Sequence, residues 1–123
     1  MIHLIFLGKK SDLDLHIQKY AQRMKSHVQI DYQKKFTQKS KIIFACDERG
    51  EKFSSLELAR ELEKYQFNLD ILVGADDGIP KEKFQKIINL SPFVLAHDIA
   101  RLVLTEQVYR ALSIYKRHPY HRV

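Results

Sequence analysis

The C-terminal segment, residues 118–122, reads His-Pro-Tyr-His-Arg and concentrates side chains that can act on a nucleic acid. Histidine titrates near neutral pH and can transfer protons, so His121 is a candidate general base and His118 a weaker one. Arg122 can bind a phosphate in bidentate fashion, and Tyr120 can stack on a base or donate a hydrogen bond. The alternative is a frayed terminus, since chain ends are often loose.

A second candidate is the loop 74–78, Gly-Ala-Asp-Asp-Gly, which follows an apolar run. Its glycines allow positive φ and a close approach of the backbone to a ligand. The pattern matches neither the GxGxxG fingerprint nor a phosphate-binding Walker loop. Asp76 and Asp77 would repel phosphate, and one adjacent pair is a poor cage for a metal. On spacing alone, an ordinary turn with helix-capping aspartates is favoured.

Other reactive side chains give weaker patterns. Glu106 and Arg110 are spaced i, i+4, so they can pair on a helix, and Arg110 could instead contact a phosphate or a cofactor carboxylate. His97 could cap a helix, pack or contact a ligand. Cys46, the single cysteine, ends an apolar run, where a buried inert thiol is usual. With one cysteine and no His-Glu-x-x-His pattern, no metal site is predicted.

Positive charge is unevenly distributed along the chain, whose formal net charge is +6. Residues 33–41 contain four lysines and no acid, and residues 110–123 combine basic, histidine and tyrosine residues, also without an acid. The basic residues of the second cluster are Arg110, Lys116, Arg117 and Arg122. Clustered cations beside aromatic rings suit a polyanion with stackable bases. For the lysine-rich segment, a merely solvated surface is an equal alternative.

Strands and helices must position these residues, and both are visible as patterns of apolar residues. Short apolar runs predict strands over residues 2–7, 28–32, 42–46, 69–73 and 93–95. Apolar residues at helical spacing predict helices over residues 12–25, from Ser54 onward, over about 81–88 and over 99–115. Ser54 and Glu57 form a capping box at the start of the second helix. The polar stretch 47–52 is predicted to be a loop.

Alternating strands and helices predict a single α/β domain over residues 1–123, with a parallel sheet and helices on both faces. In such sheets ligands bind beyond the carboxyl ends of strands, which indicates the loops after Cys46, Val73 and Leu95. The last helix is apolar on more than one side, which favours a two-fold homodimer in so short a chain. The cysteine content and the lack of a long apolar segment favour a soluble, cytoplasmic protein.

The C-terminal third closely resembles one known family. Residues 90–123 contain a Leu-Ser pair, a histidine before the long helix, Glu-Gln-x-Tyr-Arg-Ala within it and the terminal His-Pro-Tyr-His-Arg. Upstream, ILVGADDG resembles the family's strand and Gly-Gly-x-x-Gly loop, and MIHLIFLGK looks like its first strand. On these motifs the chain resembles the RlmH family of SPOUT-class methyltransferases, which modify a pseudouridine of large-subunit ribosomal RNA.

This resemblance implies a SPOUT fold with a C-terminal trefoil knot, a homodimer, no metal, and S-adenosylmethionine as the cofactor. It implies methylation of N3 of a pseudouridine in 23S ribosomal RNA, on the assembled ribosome. The implied cofactor-binding residues are Cys46, Gly74, Leu90, Ser91, Pro92, Phe93, Val94 and Leu95. The implied catalytic residues are His121, Arg110 and Tyr120, and the implied RNA-binding residues are Lys116, Arg117, His118 and Arg122, with the tail crossing the dimer.

The chain departs from the family pattern at several places. Ala75 replaces the family's second glycine, Ala96 stands where a proline usually precedes the histidine, and the chain is shorter within residues 32–42. A methyl group at Ala75 would crowd close approach of the cofactor. Two other functions stay open: a non-catalytic ribosome- or RNA-binding protein that keeps the SPOUT fold, and a metal-independent ribonuclease that uses His118 and His121.

Overall fold

The chain forms five strands and three helices over residues 1–116, the part that the computed structural model describes. In chain order they are β1 (Ile2–Leu7), α1 (Asp14–Arg23), β2 (Val28–Gln33), β3 (Ile43–Lys52), α2 (Ser55–Lys64), β4 (Leu69–Val73), β5 (Lys86–Asn89) and α3 (His97–Tyr115). The predicted first four strands, the capping box of α2 and the long last helix are confirmed. The candidate residues within 117–123 lie outside the described residues.

The strands form one sheet in the order β2-β1-β4-β3-β5, and every neighbouring pair is parallel. Strand β4 is buried along its whole length, as expected of a central strand of a parallel sheet. Because parallel strands run in one direction, the loops that follow them gather at one end of the sheet, the carboxyl edge; the opposite end is the amino edge. The predicted α/β class with a parallel sheet is confirmed, and the trefoil knot stays a prediction.

All three helices pack on the same face of the sheet. Their apolar residues share one core cluster with alternate residues of β1 and β4, such as Leu4 and Ile71. The smaller cluster on the other face consists of Ile5, Ala45 and Leu72, with Leu7, Phe36, Ile79 and Phe84 packed against it. The described residues thus differ from the expectation of helices on both faces, because loop residues cover the second face.

The helix predicted over residues 81–88 is wrong. Residues 81–83 are exposed and polar, so this segment lacks the apolar stripe that would hold a helix on the sheet. Ile87 and Ile88 instead pair with Ala45 and Cys46 of β3, and the segment forms the edge strand β5. Tertiary pairing has overridden the local signal of Pro80 at a helix start.

Two further predictions are corrected around β3 and β5. Residues 47–52, predicted to be a loop, continue β3 beyond a register shift and pair again with β5. Gly50 permits this pairing, because a Cβ there would lie 2.5 Å from the carbonyl oxygen of Ile87. Residues 93–95 form no strand. Side-chain bonds hold that segment as a loop, since Ser91 N donates to Asn89 Oδ1 and Phe93 N to Ser91 Oγ, both at 3.0 Å.

A buried arginine fastens α3 to the turn after β1. Arg101 is fully buried, and its guanidinium donates to the carbonyl oxygens of Leu7 and Lys9, each at 2.9 Å. The same guanidinium lies 3.5 Å from the buried carboxylate of Asp14 and 5.6 Å from the ring centroid of Tyr32. Tyr32 donates its hydroxyl to Asp14, so a charged pair and a phenol share one buried site. Burial and this hydrogen bond raise the pKa of Tyr32.

Candidate functional site

A cavity of about 310 Å³ lies at the carboxyl edge of the sheet, beyond β3, β4 and β5. Three segments line it: the middle of β3 from Cys46 to Glu48, where its register shifts, the end of β4 with its glycine loop, and the stretch from Asn89 to His97. A cavity of this volume falls within the range of small-molecule sites. Its position agrees with the strand-end rule for open α/β sheets.

Seven of the eight residues expected to bind a cofactor line this cavity. They are Cys46, Gly74, Leu90, Ser91, Phe93, Val94 and Leu95. The eighth, Pro92, is not among the lining residues. Residues from three separate parts of the chain therefore surround one cavity. The segment around Leu95 is a loop that leads into α3, and not the end of a strand as predicted.

The glycine loop after β4 is a tight turn. Gly78 N donates to the carbonyl oxygen of Ala75 at 2.9 Å, and Gly78 has a φ of +87°. A Cβ added at Gly74 would lie 2.2 Å from the carbonyl oxygen of Gly78, a distance that no side chain tolerates. The prediction of a turn is confirmed. The next element after it is the strand β5 and not a helix, so its aspartates do not lie at a helix start.

A side-chain hydrogen bond joins this loop to the start of α3. His97 Nδ1 lies 2.8 Å from Asp76 Oδ1, and both residues line the cavity. His97 is the first residue of α3, and its role was left open by its position in the sequence. The pair connects two walls of the cavity, so a ligand there would contact groups held in place on both sides.

The cavity lining is acidic. Asp47, Glu48 and Asp76 contribute carboxylates, while no lysine or arginine is among the described lining residues. Arg49 lies outside the lining and donates to Asp47 at 2.8 Å, and this hydrogen bond lowers the pKa of the Asp47 carboxyl. The described residues contain no group of three or more His, Cys, Asp or Glu that could hold a metal ion. Arg49 offsets the charge of Asp47, so Glu48 and Asp76 supply the negative charge of the lining, which suits an organic ligand with positive charge.

Sequence reasoning missed several lining residues. Asp47 and Glu48 lie in the loop after Cys46 that the strand-end rule indicated, but neither was given a role of its own, and Asn89 directly follows the segment 81–88 that was predicted to be a helix. Asn89 carries a usable signal, because an asparagine near Ser91 in a polar loop often bonds to the backbone two residues on. That Asp47 and Glu48 belong to a strand follows only from the pairing of β3 with β5.

The described part of the candidate RNA-contacting set lies away from the cavity. Arg110 is on α3, and its guanidinium forms an i, i+4 ion pair with Glu106 at 3.1 Å, as predicted. Lys116 follows α3 at the amino edge, where its Nζ lies 2.6 Å from His27 Nε2. Burial and the charge of Lys116 lower the pKa of His27. The remaining candidates, Arg117, His118, Tyr120, His121 and Arg122, lie outside the described residues.

We expect Cys46 to resist alkylation in the folded protein. Burial raises the pKa of its thiol to about 12, and the nearby Asp47 carboxylate adds to this effect. Since the thiolate is the reactive form, native Cys46 at pH 8 should react with iodoacetamide about a thousandfold more slowly than an ordinary cysteine. Mass spectrometry measures the rate, and the urea-unfolded chain is the control. Equal rates for folded and unfolded chains would contradict the inert-thiol interpretation.

Comparison with known proteins gives a consistent family. A family described as predicted SPOUT methyltransferases matches residues 33–121. The ribosomal RNA large subunit methyltransferase H of Prochlorococcus marinus subsp. pastoris is 37% identical over 122 residues, with 93% of this chain and 88% of that protein covered. Its counterpart in strain MIT 9515 is 37% identical over 129 residues, covering 98% and 93%. That of strain MIT 9301 is 41% identical over 85 residues, covering 66% and 62%.

None of the described helices has the length and apolar character needed to cross a membrane.

Proposed function

The chain belongs to the SPOUT methyltransferase family and to its ribosomal RNA large subunit methyltransferase H branch, and we propose on this basis that it methylates N3 of a pseudouridine in 23S ribosomal RNA, with S-adenosylmethionine as the methyl donor. The substrate is the assembled ribosome, which makes the cytoplasm the place of action. Residues 1–123 act as one methyltransferase domain.

The observation that carries the proposal is the cavity at the carboxyl edge. Seven of the eight residues that the family resemblance assigns to the cofactor line this one space, although they come from three distant parts of the sequence. Backbone groups of the glycine loop and of residues 90–95 provide donors and acceptors for a nucleoside. The carboxylates of Asp47, Glu48 and Asp76 suit the positive charge of a sulfonium.

Methyl transfer requires mainly that the methyl donor and the acceptor nitrogen are aligned. When bound, S-adenosylmethionine supplies an activated methyl group, so the protein's contribution is to hold the target nitrogen in line with it. Removal of the imide proton assists the transfer, and His121 is assigned this general-base role. Arg110 and Arg122 orient phosphate or the cofactor carboxylate, and Tyr120 positions the base.

The length of α3 supports an active site built from two subunits. His97, at the start of α3, lines the cavity, whereas Lys116 lies 19 residues further on, about 28 Å away along the helix axis. His121 is five residues beyond Lys116, and five extended residues span at most about 17 Å. The tail of one subunit is therefore too short to bring His121 to its own cavity. In a dimer in which the cavity of one subunit lies near the tail of the other, His121 acts at the partner's cavity.

Exposed apolar side chains near the cavity support the homodimer. Ile99, on the first turn of α3, is 43% exposed, and Phe93 and Val94 in the preceding loop are 78% and 81% exposed. Large exposed apolar residues that cluster in one region mark interaction sites. A two-fold dimer that covers this region also places a partner's chain beside the cavity.

We expect mixing of two inactive variants to restore methyl transfer. His121→Ala should lose about 10²- to 10⁴-fold in rate as a missing general base, and a variant with a blocked cavity, Gly74→Ala, should also be inactive. A mixed dimer contains one subunit of each variant. The cavity of the His121→Ala subunit is then completed by the tail of the Gly74→Ala subunit, so one of the two active sites is intact. Random subunit exchange should therefore restore about a quarter of the wild-type sites.

The measurement is transfer of labelled methyl groups to ribosomes from a strain that lacks the enzyme. Each variant mixed with itself is the control. A His121→Ala rate equal to the wild-type rate at every pH would show that the base assignment is wrong. A mixture as inactive as its components, although subunit exchange is demonstrated, would contradict the two-subunit site.

A further inference from the structure

We propose that four lysines after β1 and β2 bind the phosphate backbone of the substrate RNA beside the cofactor cavity; this inference rests on the proposed function. The four are Lys9, Lys10, Lys34 and Lys35, named here the lysine edge. They lie outside the C-terminal set that was expected to contact RNA, and they belong to a different part of the fold.

Topology places the two lysine pairs side by side. Leu7 pairs with Gln33 in the register of β1 and β2, and Gly8 N donates to the carbonyl oxygen of Gln33 at 2.9 Å. Lys9 and Lys10 follow Gly8, and Lys34 and Lys35 follow Gln33 directly. Since adjacent strands are about 4.8 Å apart, all four lysines leave the sheet from one short stretch of its carboxyl edge.

The lysine edge borders the cavity. Strand β1 pairs with β4, whose last residue Val73 is opposite Phe6, and Val73 and Ala75 both line the cavity. A Cβ added at Gly8 would lie 3.9 Å from the Cβ of Ala75, so the turn that carries Lys9 and the glycine loop are in contact. An RNA strand held on these lysines would therefore pass next to the methyl donor.

Buried groups fix the backbone that carries the lysines. Arg101 donates to the carbonyl oxygens of Leu7 and Lys9, and Gly8 turns the chain with a φ of +109°. On the other side, the Gln33 side chain accepts from Thr37 N at 2.7 Å and donates to the carbonyl oxygen of Thr37 at 3.1 Å. A backbone held in this way loses less conformational entropy when it binds a ligand.

The charge on the lysine edge is largely uncompensated. All four lysines are exposed, and none forms an ion pair with a carboxylate of the described residues. Residues 8–12 and 33–37 contain one acid, Asp12. Lys10 Nζ lies 5.1 Å from the ring centroid of Tyr32, which limits its position without neutralising it.

The carboxyl edge is thus divided by charge. Beyond β3, β4 and β5 the cavity lining has three carboxylates and no lysine or arginine among its described members. Arg49, just outside the lining, offsets the charge of Asp47, so Glu48 and Asp76 supply the negative charge there. Beyond β1 and β2 the charge is positive. A polyanion approaching this edge is repelled from the cavity rim and attracted to the lysine edge, which keeps phosphates out of the cofactor site and directs them beside it.

The test compares charge removal at the two ends of the same sheet. Two variants remove the lysine edge in halves, Lys9→Ala with Lys10→Ala, and Lys34→Ala with Lys35→Ala. The matched control is Lys25→Ala with Lys64→Ala, which removes two exposed lysines that precede β2 and β4, lie at the amino edge and belong to neither basic cluster. The affinity of each protein for ribosomes from a strain that lacks the enzyme is measured between 50 and 200 mM salt.

We expect each lysine-edge variant to flatten the plot of log affinity against log salt concentration by about 1.4, since each lost phosphate contact contributes about 0.7 on single-stranded RNA. The control should keep the wild-type slope. Affinity for S-adenosylmethionine should be the same in all variants, because these lysines lie outside the cavity lining.

Two results would count against this inference, and they are distinguishable. If wild type binds ribosomes and S-adenosylmethionine, and the lysine-edge variants lose no more slope than the control, the lysines only add solubility and the inference is wrong. If wild type binds neither ribosomes nor the cofactor, the proposed function fails and the inference fails with it.

Discussion

Replacing Arg101 with methionine is expected to lower the free energy of unfolding by about 3–5 kcal/mol, the usual cost of removing one partner of a buried ion pair. The substitution leaves the buried carboxylate of Asp14 without its cation and the carbonyl oxygens of Leu7 and Lys9 without donors. Methionine keeps much of the apolar volume against Phe6, so the loss comes from charge and hydrogen bonding. Urea unfolding followed by circular dichroism measures it.

A double variant separates the ion pair from the hydrogen bonds. Adding Asp14→Asn to Arg101→Met removes the stranded charge, so the double variant should be more stable than the Arg101→Met single variant. The stability that is not recovered reports the bonds to Leu7 and Lys9 together with the acceptor that asparagine withdraws from Ser11 N or from the Tyr32 hydroxyl. An Arg101→Met protein within about 1 kcal/mol of wild type would mean that the pair is worth no more than one on the surface, contrary to its burial.

Replacing Gly74 with alanine is expected to reduce methyl transfer by about 100-fold, because displacement of a site's walls by an ångström costs that much. The new Cβ would lie 2.2 Å from the carbonyl oxygen of Gly78, so the turn must open. Opening it moves Ala75 and Asp76, which line the cavity, and breaks the alignment of Asp76 with His97. Methyl transfer to ribosomes is the measurement.

Gly78→Ala is the matched control for this substitution. A Cβ at Gly78 has no heavy atom within 4 Å, so the cost there is limited to its φ of +87°. That strain is about 1–2 kcal/mol of stability, without a clash in the cavity wall. Gly78 also lines the cavity, but its Cβ would meet no atom of the wall, so Gly78→Ala should unfold at lower temperature and lose less methyl transfer than Gly74→Ala. Equal activity of the two variants would show that the turn does not shape the site.

The sequence predicts those strands and helices whose position is evident from local composition. Strand β4 is a fully buried apolar run, and α2 begins at a capping box, so local composition is enough to identify both. Strand β5 could not be identified, because two isoleucines in a polar stretch have no period, and their pairing with β3 decides the structure. The covering of the second sheet face by loops depends on the same pairing.

Some features of the candidate site can likewise be predicted from the sequence, and others cannot. The rule that ligands bind at strand ends indicates the loops after Cys46 and Val73, and family motifs add residues 90–95. The acidic lining and the pairing of His97 with Asp76 are tertiary features, since they depend on three loops meeting at one edge. Arg101 is a further example: an arginine in a helix suggests a surface cation, and its burial against the turn after β1 has no local signal.

Helix α3 runs between the cavity and the C-terminal residues that include the proposed general base. Its first residue lines the cavity, and its last turn ends near His27 at the amino edge, so the helix runs from one end of the sheet to the other. Because the proposed activity needs both the cavity and the residues after α3, we propose that it depends on a second subunit. This dependence makes oligomeric state and catalysis inseparable in the proposed mechanism.

The central claim is that the carboxyl-edge cavity binds S-adenosylmethionine, and calorimetric titration of the wild-type chain with that compound tests it most directly. We expect saturable heat with one site per chain, greatly weakened in Gly74→Ala and retained when Lys25 and Lys64 are replaced. No heat at millimolar cofactor would contradict the claim and favour a non-catalytic RNA-binding protein. Unchanged binding in Gly74→Ala would contradict it equally, because the cofactor would then occupy some other site.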